Sequence, residues 1–274
     1  MSYLLIGDRK VRITSLEKFY DKNNMITKKD CINYYIKIFP YIKPFIENRP
    51  VSLKRFPNGF DKKGFYQKNI DENFPSWIKF IKRKGVEKYP LINDLESFIY
   101  LVNLGTIEFH PWMSTLDNLD SPQYGVFDID PMKRFTFLEV TKVAKTIYSV
   151  LEILNLKSVA KLSGSTGIQI FLPVKKGYSY NRVREFIRKV SVIVNNKLGD
   201  ITTMVRKREY REEKIYLDFL QNVKGQTIVA PFSLRPINGA PISMPISWKR
   251  ILETSNIRSA QQYNIKNITF VTGK

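Results

Sequence analysis

Short apolar runs alternate with longer amphipathic stretches between residues 106 and 220. Apolar runs of about four to eight residues are typical of strands, and apolar positions three or four residues apart are typical of helices. The order predicts strands at 106–109, 124–130, 158–162, 168–173 and 215–220, and helices at about 137–154 and 181–198. This order favours a mixed or antiparallel sheet with helices packed on it, which is an α+β architecture.

The residues before 106 predict a smaller α/β module. Thr27 and Asp30 have the spacing of a capping box, with aspartate in place of the usual glutamate or glutamine. We therefore expect a helix over about 28–39. Two short strands and a second helix are predicted further along, at 51–56, 64–68 and 94–104.

The sequence does not mark a boundary between independent domains. No low-complexity linker and no internal repeat interrupts the chain. We expect a single domain over 1–274, with an N-terminal module of about 1–105 and a larger module of about 106–274.

The chain is strongly basic. Lysine and arginine total 45 against 25 acidic residues, a formal net charge of +20 at pH 7, and 43% hydrophobic content can fill a core. This surplus favours a polyanionic partner, because binding releases the partner's counterions, and nucleic acid is the expected one. A basic surface that meets only water is the alternative. No long apolar run or strongly amphipathic basic helix supports a membrane partner.

Cysteine and histidine are nearly absent. The single cysteine, Cys31, excludes an internal disulfide framework, and a single histidine, His110, argues against a Cys/His zinc site. The apolar start Met1–Ile6 is followed at once by charged residues and is too short for a signal peptide. We therefore expect a cytoplasmic protein.

Three aspartates stand near the ends of predicted strands. Asp128 and Asp130 are two residues apart in Tyr124-Gly-Val-Phe-Asp-Ile-Asp-Pro131, so they point to one face, and Asp218 lies in a later strand. A cation stabilises such adjacent charges, and Mg²⁺ and Mn²⁺ prefer oxygen ligands. Two such ions about 3.5–4 Å apart can perform nucleotidyl transfer. Taken alone, the Asp128–Asp130 pair is better explained as a polar strand exit before a proline.

A glycine-rich turn and several arginines indicate phosphate binding. Ser163 and Gly164 lie in Lys161-Leu-Ser-Gly-Ser-Thr-Gly-Ile-Gln169, where glycines let backbone N–H groups approach a phosphate. Arg211 and Arg235 can each bind a triphosphate with two parallel hydrogen bonds. Ordinary hairpin chemistry for the turn and a solvated basic loop around Arg211 are the alternatives that remain open.

Five ordered motifs together resemble the polymerase domain of bacterial ligase D, which has stand-alone relatives in archaea and bacteria and belongs to the archaeo-eukaryotic primase superfamily. They are Glu108-Phe-His-Pro-Trp112, the runs at 124–131 and 163–167, Ile215-Tyr-Leu-Asp-Phe-Leu-Gln-Asn222 and Ala230-Pro-Phe-Ser-Leu-Arg235. With matching runs at 49–59 and 64–68, the resemblance covers nearly the whole chain. It implies the primase-polymerase fold, with 106–274 as the catalytic module.

The resemblance also implies roles for individual residues. Catalytic and metal-binding roles correspond to Asp128, Asp130 and Asp218. Nucleotide contacts correspond to Lys54, His110, Ser163, Gly164, Gln169, Arg211, Gln221 and Arg235. Binding of a downstream DNA 5′-phosphate corresponds to Lys18 and Lys28, and stacking on the template base to Phe65 and Tyr66.

Three positions depart from the pattern. Thr166, Gln169 and Ile237 stand where the family often has a lysine, a histidine and a second arginine. Each change removes a cation or a donor, and charge-assisted hydrogen bonds are about twice as strong as neutral ones. Because the three aspartates and Arg211 remain, we expect weaker nucleotide binding rather than inactivity.

The implied activity is a template-directed nucleotidyltransferase that adds nucleotides to a primer 3′-hydroxyl with two Mn²⁺ or Mg²⁺ ions. Ribonucleotides are the expected preference over deoxynucleotides. The implied substrate is DNA with gaps or double-strand breaks that carry a 5′-phosphate, repaired by non-homologous end joining. By family association, the expected partners are a Ku-like end-binding protein and a DNA ligase.

Two other functions remain open. A primase-polymerase in replication or damage tolerance shares the chemistry but has no need of a downstream 5′-phosphate. A non-catalytic protein that binds 5′-phosphorylated DNA ends agrees with the three missing groups, although the retained aspartates argue against it.

Overall fold

The computed structural model describes residues 2–82, 87–253 and 259–268. The chain divides into two units. Unit 1 draws on Met1–Pro111, Val229–Ser243 and Tyr263–Lys274, and unit 2 on Trp112–Ile228 and Met244–Gln262.

The segment Val229–Ser243 belongs to unit 1, although the predicted boundary near residue 105 assigns it to the larger module. The Ala230 N–H donates to the Phe109 carbonyl over 2.8 Å, and the Leu234 N–H donates to the Tyr35 hydroxyl over 2.9 Å. These partners are more than a hundred residues away in sequence, so local patterns could not place the segment.

Unit 1 contains two helices and several small antiparallel sheets. The helices are α1 (Lys28–Ile46) and α2 (Leu95–Asn103). The strands are β1 (Ser2–Ile6), β2 (Arg9–Ile13), β3 (Phe19–Asp21), β4 (Ile26–Thr27), β5 (Val51–Arg55), β6 (Phe65–Gln67), β7 (Phe80–Lys82), β8 (Lys88–Pro90) and β9 (Thr106–Pro111). The larger sheet has the order β6-β5-β9, and β1-β2, β3-β4 and β7-β8 form two-stranded sheets.

Helix α1 begins with the predicted capping box and runs further than predicted. The Thr27 hydroxyl accepts from the Asp30 N–H, and the Asp30 carboxylate accepts from the Thr27 N–H. The helix continues through Pro40 and Pro44 to Ile46, although each proline removes a helical hydrogen bond. Its apolar stripe, which includes the fully buried Ile46, favours this continuation by about 1.5–3 kcal/mol per buried aliphatic side chain.

An aromatic cluster forms the core of unit 1. Tyr35 of α1 meets Phe98 of α2 and Phe109 of β9 edge-on, with ring centroids 5.2 Å and 5.5 Å apart. The Tyr35 hydroxyl donates to the carbonyl of Ile107. Helix α1 and strand β9 are therefore fixed to one another by both packing and hydrogen bonding.

Unit 2 is a six-stranded mixed sheet with helices. The strands are β10 (Tyr124–Asp130), β11 (Val159–Leu162), β12 (Ile168–Pro173), β13 (Thr202–Thr203), β14 (Ile215–Asp218) and β15 (Pro245–Ile246), and the helices are α3 (Phe137–Ile153), α4 (Tyr180–Lys197) and α5 (Trp248–Leu252). The order is β13-β14-β10-β12-β11-β15, antiparallel except for the β13–β14 pair. This arrangement confirms the α+β prediction, and strands β10 and β12 have the predicted bounds.

Helix α4 and the aspartates lie on opposite faces of β10. A Cβ atom placed on Gly125 would be 2.9 Å from Val183 and 3.1 Å from Ile187 of α4. Because strand side chains alternate, Asp128 and Asp130 point to the other face. None of the described helices is long and apolar enough to cross a membrane.

Candidate active site

The sheet of unit 2 places four polar side chains in one row across neighbouring strands. Lys161 of β11 is the register partner of Gln169 in β12, and Gln169 is the partner of Asp128 in β10. Asp128 is in turn the partner of Asp218 in β14. Directly opposed residues have Cβ atoms about 4.5–5.5 Å apart, so the strand register alone brings the two aspartates together.

The aspartates repel one another. Burial, together with the charges of Asp130 and Asp218, raises the pKa of Asp128 to about 6, against the opposing hydrogen bond from Gln169. Burial also raises the pKa of Asp218. Carboxylates with raised pKa values on one face are stabilised by a cation.

The donor set suits Mg²⁺ or Mn²⁺, because carboxylate oxygens are the ligands that these ions prefer. In the described ranges, however, no group of three or more Asp, Glu, His or Cys side chains is arranged as a metal-binding group. All three carboxylates are engaged by the protein, Asp128 through Gln169. Asp130 pairs with Arg211 at 3.3 Å, and Asp218 accepts from the Tyr216 hydroxyl at 3.2 Å and the Leu220 N–H at 2.9 Å. The Asp130–Arg211 ion pair must loosen for the three carboxylates to share ions, whereas both hydrogen bonds to Asp218 end on its Oδ1 atom.

Gln169 connects Lys161 to Asp128. Its Nε2 donates to Asp128 Oδ1 over 3.0 Å, and its Oε1 accepts from Lys161 Nζ. Gln169 is 6% exposed and Lys161 is 1% exposed, so the contacts are shielded from water. The amide predicted to contact a nucleotide is thus engaged by protein groups on both sides.

The predicted phosphate turn is held by Ser163. Its hydroxyl oxygen accepts from the N–H groups of Ser165 at 3.1 Å and Gly167 at 3.0 Å. Gly164 has a φ of +70°, and a Cβ atom on Gly167 would lie 2.0 Å from the Ile129 carbonyl oxygen, so both positions require glycine. Thr166, one of the departures, is exposed on this turn.

Arg211 lies beside the aspartates and is held by several contacts. Its guanidinium carbon is 3.8 Å from the centroid of the Tyr216 ring, and its Nη2 donates to the Arg206 carbonyl over 3.0 Å. One Nη reaches Asp130, as described above. This guanidinium can bind an anion once its contact with Asp130 is released.

Asn222 fixes the segment that follows Asp218, a role that the sequence did not reveal. Its Oδ1 accepts from the Val126 N–H at 2.7 Å, and its Nδ2 donates to the Val126 carbonyl at 2.8 Å, as a strand partner would. Neighbouring Gln221 donates to the Thr227 carbonyl at 2.6 Å. An amide four residues beyond a strand-end acid was the available clue.

Unit 1 carries a second polar cluster centred on Glu108, which sequence analysis also missed. The Glu108 side chain is 1% exposed and lies 2.8 Å from His110 Nε2, 3.3 Å from Lys54 Nζ and 2.8 Å from Arg235 Nε. The Arg235 contact is an ion pair without hydrogen-bond geometry. Three predicted nucleotide contacts therefore share one buried carboxylate. Ile237 of the same segment is half-buried.

The cluster sets the charge states of its members. Burial would raise the pKa of Glu108, but the hydrogen bond from His110 and the charges of Arg235 and Lys54 bring it to about 2. Burial lowers the pKa of His110 despite the attraction of Glu108. Because an ionised carboxylate only accepts, the His110 Nε2 atom carries the proton.

Lys18 and Lys28 lie close together in unit 1. The Lys28 N–H donates to the Lys18 carbonyl over 2.8 Å, and Lys28 Nζ donates to the Thr14 carbonyl over 2.6 Å. Lys18 Nζ donates to the Pro57 carbonyl over 3.0 Å. Burial, and then the charge of Lys18, lower the pKa of Lys28 to about 8. Lys28 is 4% exposed, which is unusual for a lysine expected to meet DNA.

Phe65 and Tyr66 are aromatic side chains open to solvent, at 46% and 57% exposure. The Tyr66 ring meets the His110 ring edge-on at 5.4 Å, and the Arg55 guanidinium lies 5.2 Å from the Phe65 ring centroid. Exposed rings beside cations provide surfaces on which bases can stack.

The comparisons with known proteins agree with one another. The family model for the LigD primase-polymerase domain matches residues 27–272. The Bifunctional non-homologous end joining protein LigD of Bacillus subtilis is 30% identical over 243 residues, which are 88% of this chain and 39% of that protein. The Multifunctional non-homologous end joining protein LigD of Mycolicibacterium smegmatis is 27% identical over 89% of this chain and 33% of its own length.

A solved structure shows the same fold. The polymerase domain of Mycobacterium tuberculosis ligase D, in complex with DNA, superposes with a TM-score of 0.83 at 22% identity, covering 93% of this chain and 92% of that domain. The chain spans only about a third to two fifths of the curated relatives it matches.

Proposed function

Because the chain belongs to the LigD primase-polymerase domain family, and is a nucleotidyltransferase of the primase-polymerase type, we propose that it is a template-directed polymerase acting in non-homologous end joining. It adds nucleotides, preferably ribonucleotides, to a primer 3′-hydroxyl, and so fills short gaps or extends joined DNA ends.

One observation carries this proposal. Asp128 and Asp218 are register partners, and Asp130 lies on the same face of β10, with Arg211 at 3.3 Å from its carboxylate. Three carboxylates beside a guanidinium combine ligands for divalent cations with a group that binds phosphate. If these acids only ended a strand and met water, Asp128 would be exposed and its pKa would not be raised.

Asp128, Asp130 and Asp218 would hold the two Mn²⁺ or Mg²⁺ ions. When bound, the ions lower the pKa of the primer hydroxyl and offset charge on the triphosphate. Gln169 holds one oxygen of Asp128 and leaves the other directed away from the amide. The hydrogen bonds to Asp218 from Tyr216 and Leu220 restrict that side chain in the same way.

The reaction joins the primer 3′-oxygen to the α-phosphorus of the nucleotide while the bond from that phosphorus to pyrophosphate breaks. The hydroxyl proton passes to water, so no separate side-chain base is needed. Arg211, released from Asp130, stabilises the negative charge that develops on the pyrophosphate. Ser163 and Gly164 shape the turn that we assign to the triphosphate, and Gln221 supports the segment after Asp218.

The Glu108 cluster of unit 1 has a net positive charge, as a group that binds phosphate needs. Lys54 and Arg235 supply two positive charges against one negative charge from Glu108, and His110, whose pKa is lowered by burial, donates its Nε2–H to the Glu108 carboxylate. We assign Lys54, His110 and Arg235 to nucleotide binding. The excess positive charge supports this assignment.

We assign Lys18 and Lys28 to the 5′-phosphate of a downstream strand, and Phe65 and Tyr66 to the template base. The charge of Lys18, which lowers the pKa of Lys28, supports the first assignment, since a doubly charged phosphate offsets the repulsion between two ammonium groups. Solvent exposure of the two rings supports the second.

The cellular role follows from the names of the relatives, which are non-homologous end joining proteins. By this family association we propose that it works with a DNA ligase that seals the strand, and with a Ku-like protein that holds the ends.

Primer extension on a gapped duplex tests the proposal. The assay compares ribonucleotides with deoxynucleotides, Mn²⁺ with Mg²⁺, and a downstream 5′-phosphate with a 5′-hydroxyl. Asp128→Ala should abolish extension while leaving DNA binding within about twofold, because it removes an ion ligand and no cation that meets phosphate. Extension by Asp128→Ala would refute the assignment of the aspartates.

The Lys18–Lys28 pair favours end joining over a replicative primase-polymerase. Loss of the Lys18 charge in Lys18→Glu should remove stimulation by a 5′-phosphate and leave extension on a 5′-hydroxyl substrate unchanged. A replicative enzyme would show no stimulation in the first place, and a non-catalytic end-binding protein would show no extension on any substrate.

A further inference from the structure

The polar row of unit 2 ends in a lysine that no role described so far requires. Lys161 is separated from Asp128 by one strand, and it is 1% exposed. Lysine is almost never fully buried unless it is paired, because a buried ammonium group loses its hydration. A lysine in this position must therefore be held by polar groups of the sheet.

Gln169 is one of those groups, and the contact fixes the direction of its amide. An ammonium group has three donors and no acceptor, so the atom facing Lys161 must be the amide oxygen. The amide nitrogen then faces Asp128 and donates to its Oδ1 over 3.0 Å. The reversed amide would place two donors against Lys161 and an oxygen against the Asp128 carboxylate. Lys161 thus keeps a donor, rather than an acceptor, against Asp128 Oδ1.

The surroundings of Lys161 keep it from acting on a substrate directly. Its ammonium group lies 5.7 Å from the centroid of the Phe171 ring, and both its neighbours in the register, Gln169 and Pro245, belong to the same sheet. At 1% exposure the ammonium group has no path to a nucleotide. Its positive charge also opposes the repulsion that Asp128 receives from Asp130 and Asp218.

We propose that Lys161 is a positioning residue, which orients the Gln169 amide so that Asp128 keeps one fixed oxygen for a divalent cation. The inference rests on the proposed function, in which Asp128 is an ion ligand. Replacing a residue that orients a metal ligand without touching the metal commonly lowers the metal affinity by about 10–100-fold.

The test measures Mn²⁺ binding to the full chain without nucleotide, by calorimetry and by the electron paramagnetic resonance of free Mn²⁺. Lys161→Met keeps the length of the side chain and removes the donors, so we expect Mn²⁺ affinity to fall by about tenfold or more. Lys161→Arg keeps a donor and should restore affinity to within about threefold of the wild type. The exposed Lys157, changed to methionine, is the matched control and should bind Mn²⁺ as the wild type does.

A double mutant shows whether Lys161 acts through Gln169. Gln169→Leu should weaken Mn²⁺ binding by itself, and adding Lys161→Met should cause no further loss beyond about twofold, because coupled residues are not additive. Fully additive losses would contradict the proposal. In extension assays Lys161→Met should lower kcat and leave the nucleotide KM unchanged, whereas a residue that touched the nucleotide would raise KM.

Folding is checked by circular dichroism. If Lys161→Met does not fold, Lys161→Gln replaces it: its amide can donate or accept, so it no longer fixes the direction of Gln169, and a loss of at least about threefold is expected. A folded variant with wild-type Mn²⁺ affinity overturns the proposal.

The two proposals fail in different ways. If the wild type binds Mn²⁺ in a Lys161-dependent manner but extends no primer, polymerase function is refuted and the positioning role stands. If the wild type extends primers and Lys161→Met binds Mn²⁺ normally, the positioning role is refuted alone.

Discussion

Replacing Glu108 with glutamine should destabilise the chain strongly near neutral pH and weakly in acid. The pKa of Glu108 falls from an ordinary 4.5 to about 2, which corresponds to about 3 kcal/mol of stabilisation. Because the pKa is lower in the folded chain, this stabilisation is fully present above about pH 4.5 and is lost as the pH falls towards about 2. We therefore expect Glu108→Gln to cost about 3 kcal/mol near pH 7 and about 1 kcal/mol near pH 3.

Urea denaturation followed by circular dichroism at several pH values measures both numbers. The exposed Glu72 of unit 1, changed to glutamine, is the matched control, and it should alter the free energy of unfolding by less than about 0.5 kcal/mol. A Glu108→Gln cost below about 1 kcal/mol near pH 7, or one that did not shrink in acid, would show that the ion pairs with Lys54 and Arg235 do not stabilise the fold.

Two further predictions concern phosphate binding. Stimulation of extension by a downstream 5′-phosphate should decline as the pH rises through about 8, because Lys28 loses its proton there. The ratio of extension rates on 5′-phosphate and 5′-hydroxyl substrates, measured between about pH 7 and pH 9, tests this. A constant ratio would exclude Lys28 as a ligand of the 5′-phosphate. Restoring the family's residues one at a time should show which departure weakens nucleotide binding. Thr166→Lys should lower the nucleotide KM by about threefold to tenfold. An unchanged KM for Gln169→His would reject the hypothesis that this position weakens nucleotide binding.

Sequence patterns predicted those helices and strands whose bounds depend on residues close together in the chain. Strand β10 follows from an apolar run that ends in charged residues, and the start of α1 follows from the Thr27–Asp30 capping box. Helix α1 was predicted to end at about residue 39, but it continues through Pro40, a residue type that normally ends a helix. Burial of the continuing apolar stripe against unit 1 outweighs that preference, and burial is not visible in a short window of sequence.

Candidate site residues could be predicted where the residue type alone indicates the chemistry. They were harder to predict where the role depends on which strands are neighbours in the sheet. Asp128, Asp130 and Asp218 were predicted as ion ligands because paired acids near strand ends are recognisable, and the sheet register brings Asp128 and Asp218 together. Glu108 and Lys161 were missed as partners because a buried ion pair depends on which strands are neighbours. Glu108 precedes His110 by two residues, so strand alternation could have placed both on one face.

The departure at Gln169 has a different meaning once the sheet is known. Sequence alone treats it as a lost cation beside the triphosphate, but its amide is engaged by Lys161 on one side and Asp128 on the other. A neutral histidine has one donor and one acceptor on opposite edges of a rigid ring, so it would have to accept from Lys161 and donate to Asp128 across a different span. Gln169→His should therefore disturb Asp128 before it gains a phosphate contact. Thr166, in contrast, is exposed on its turn. Thr166→Lys would therefore add a cation without removing a hydrogen bond between Lys161, Gln169 and Asp128.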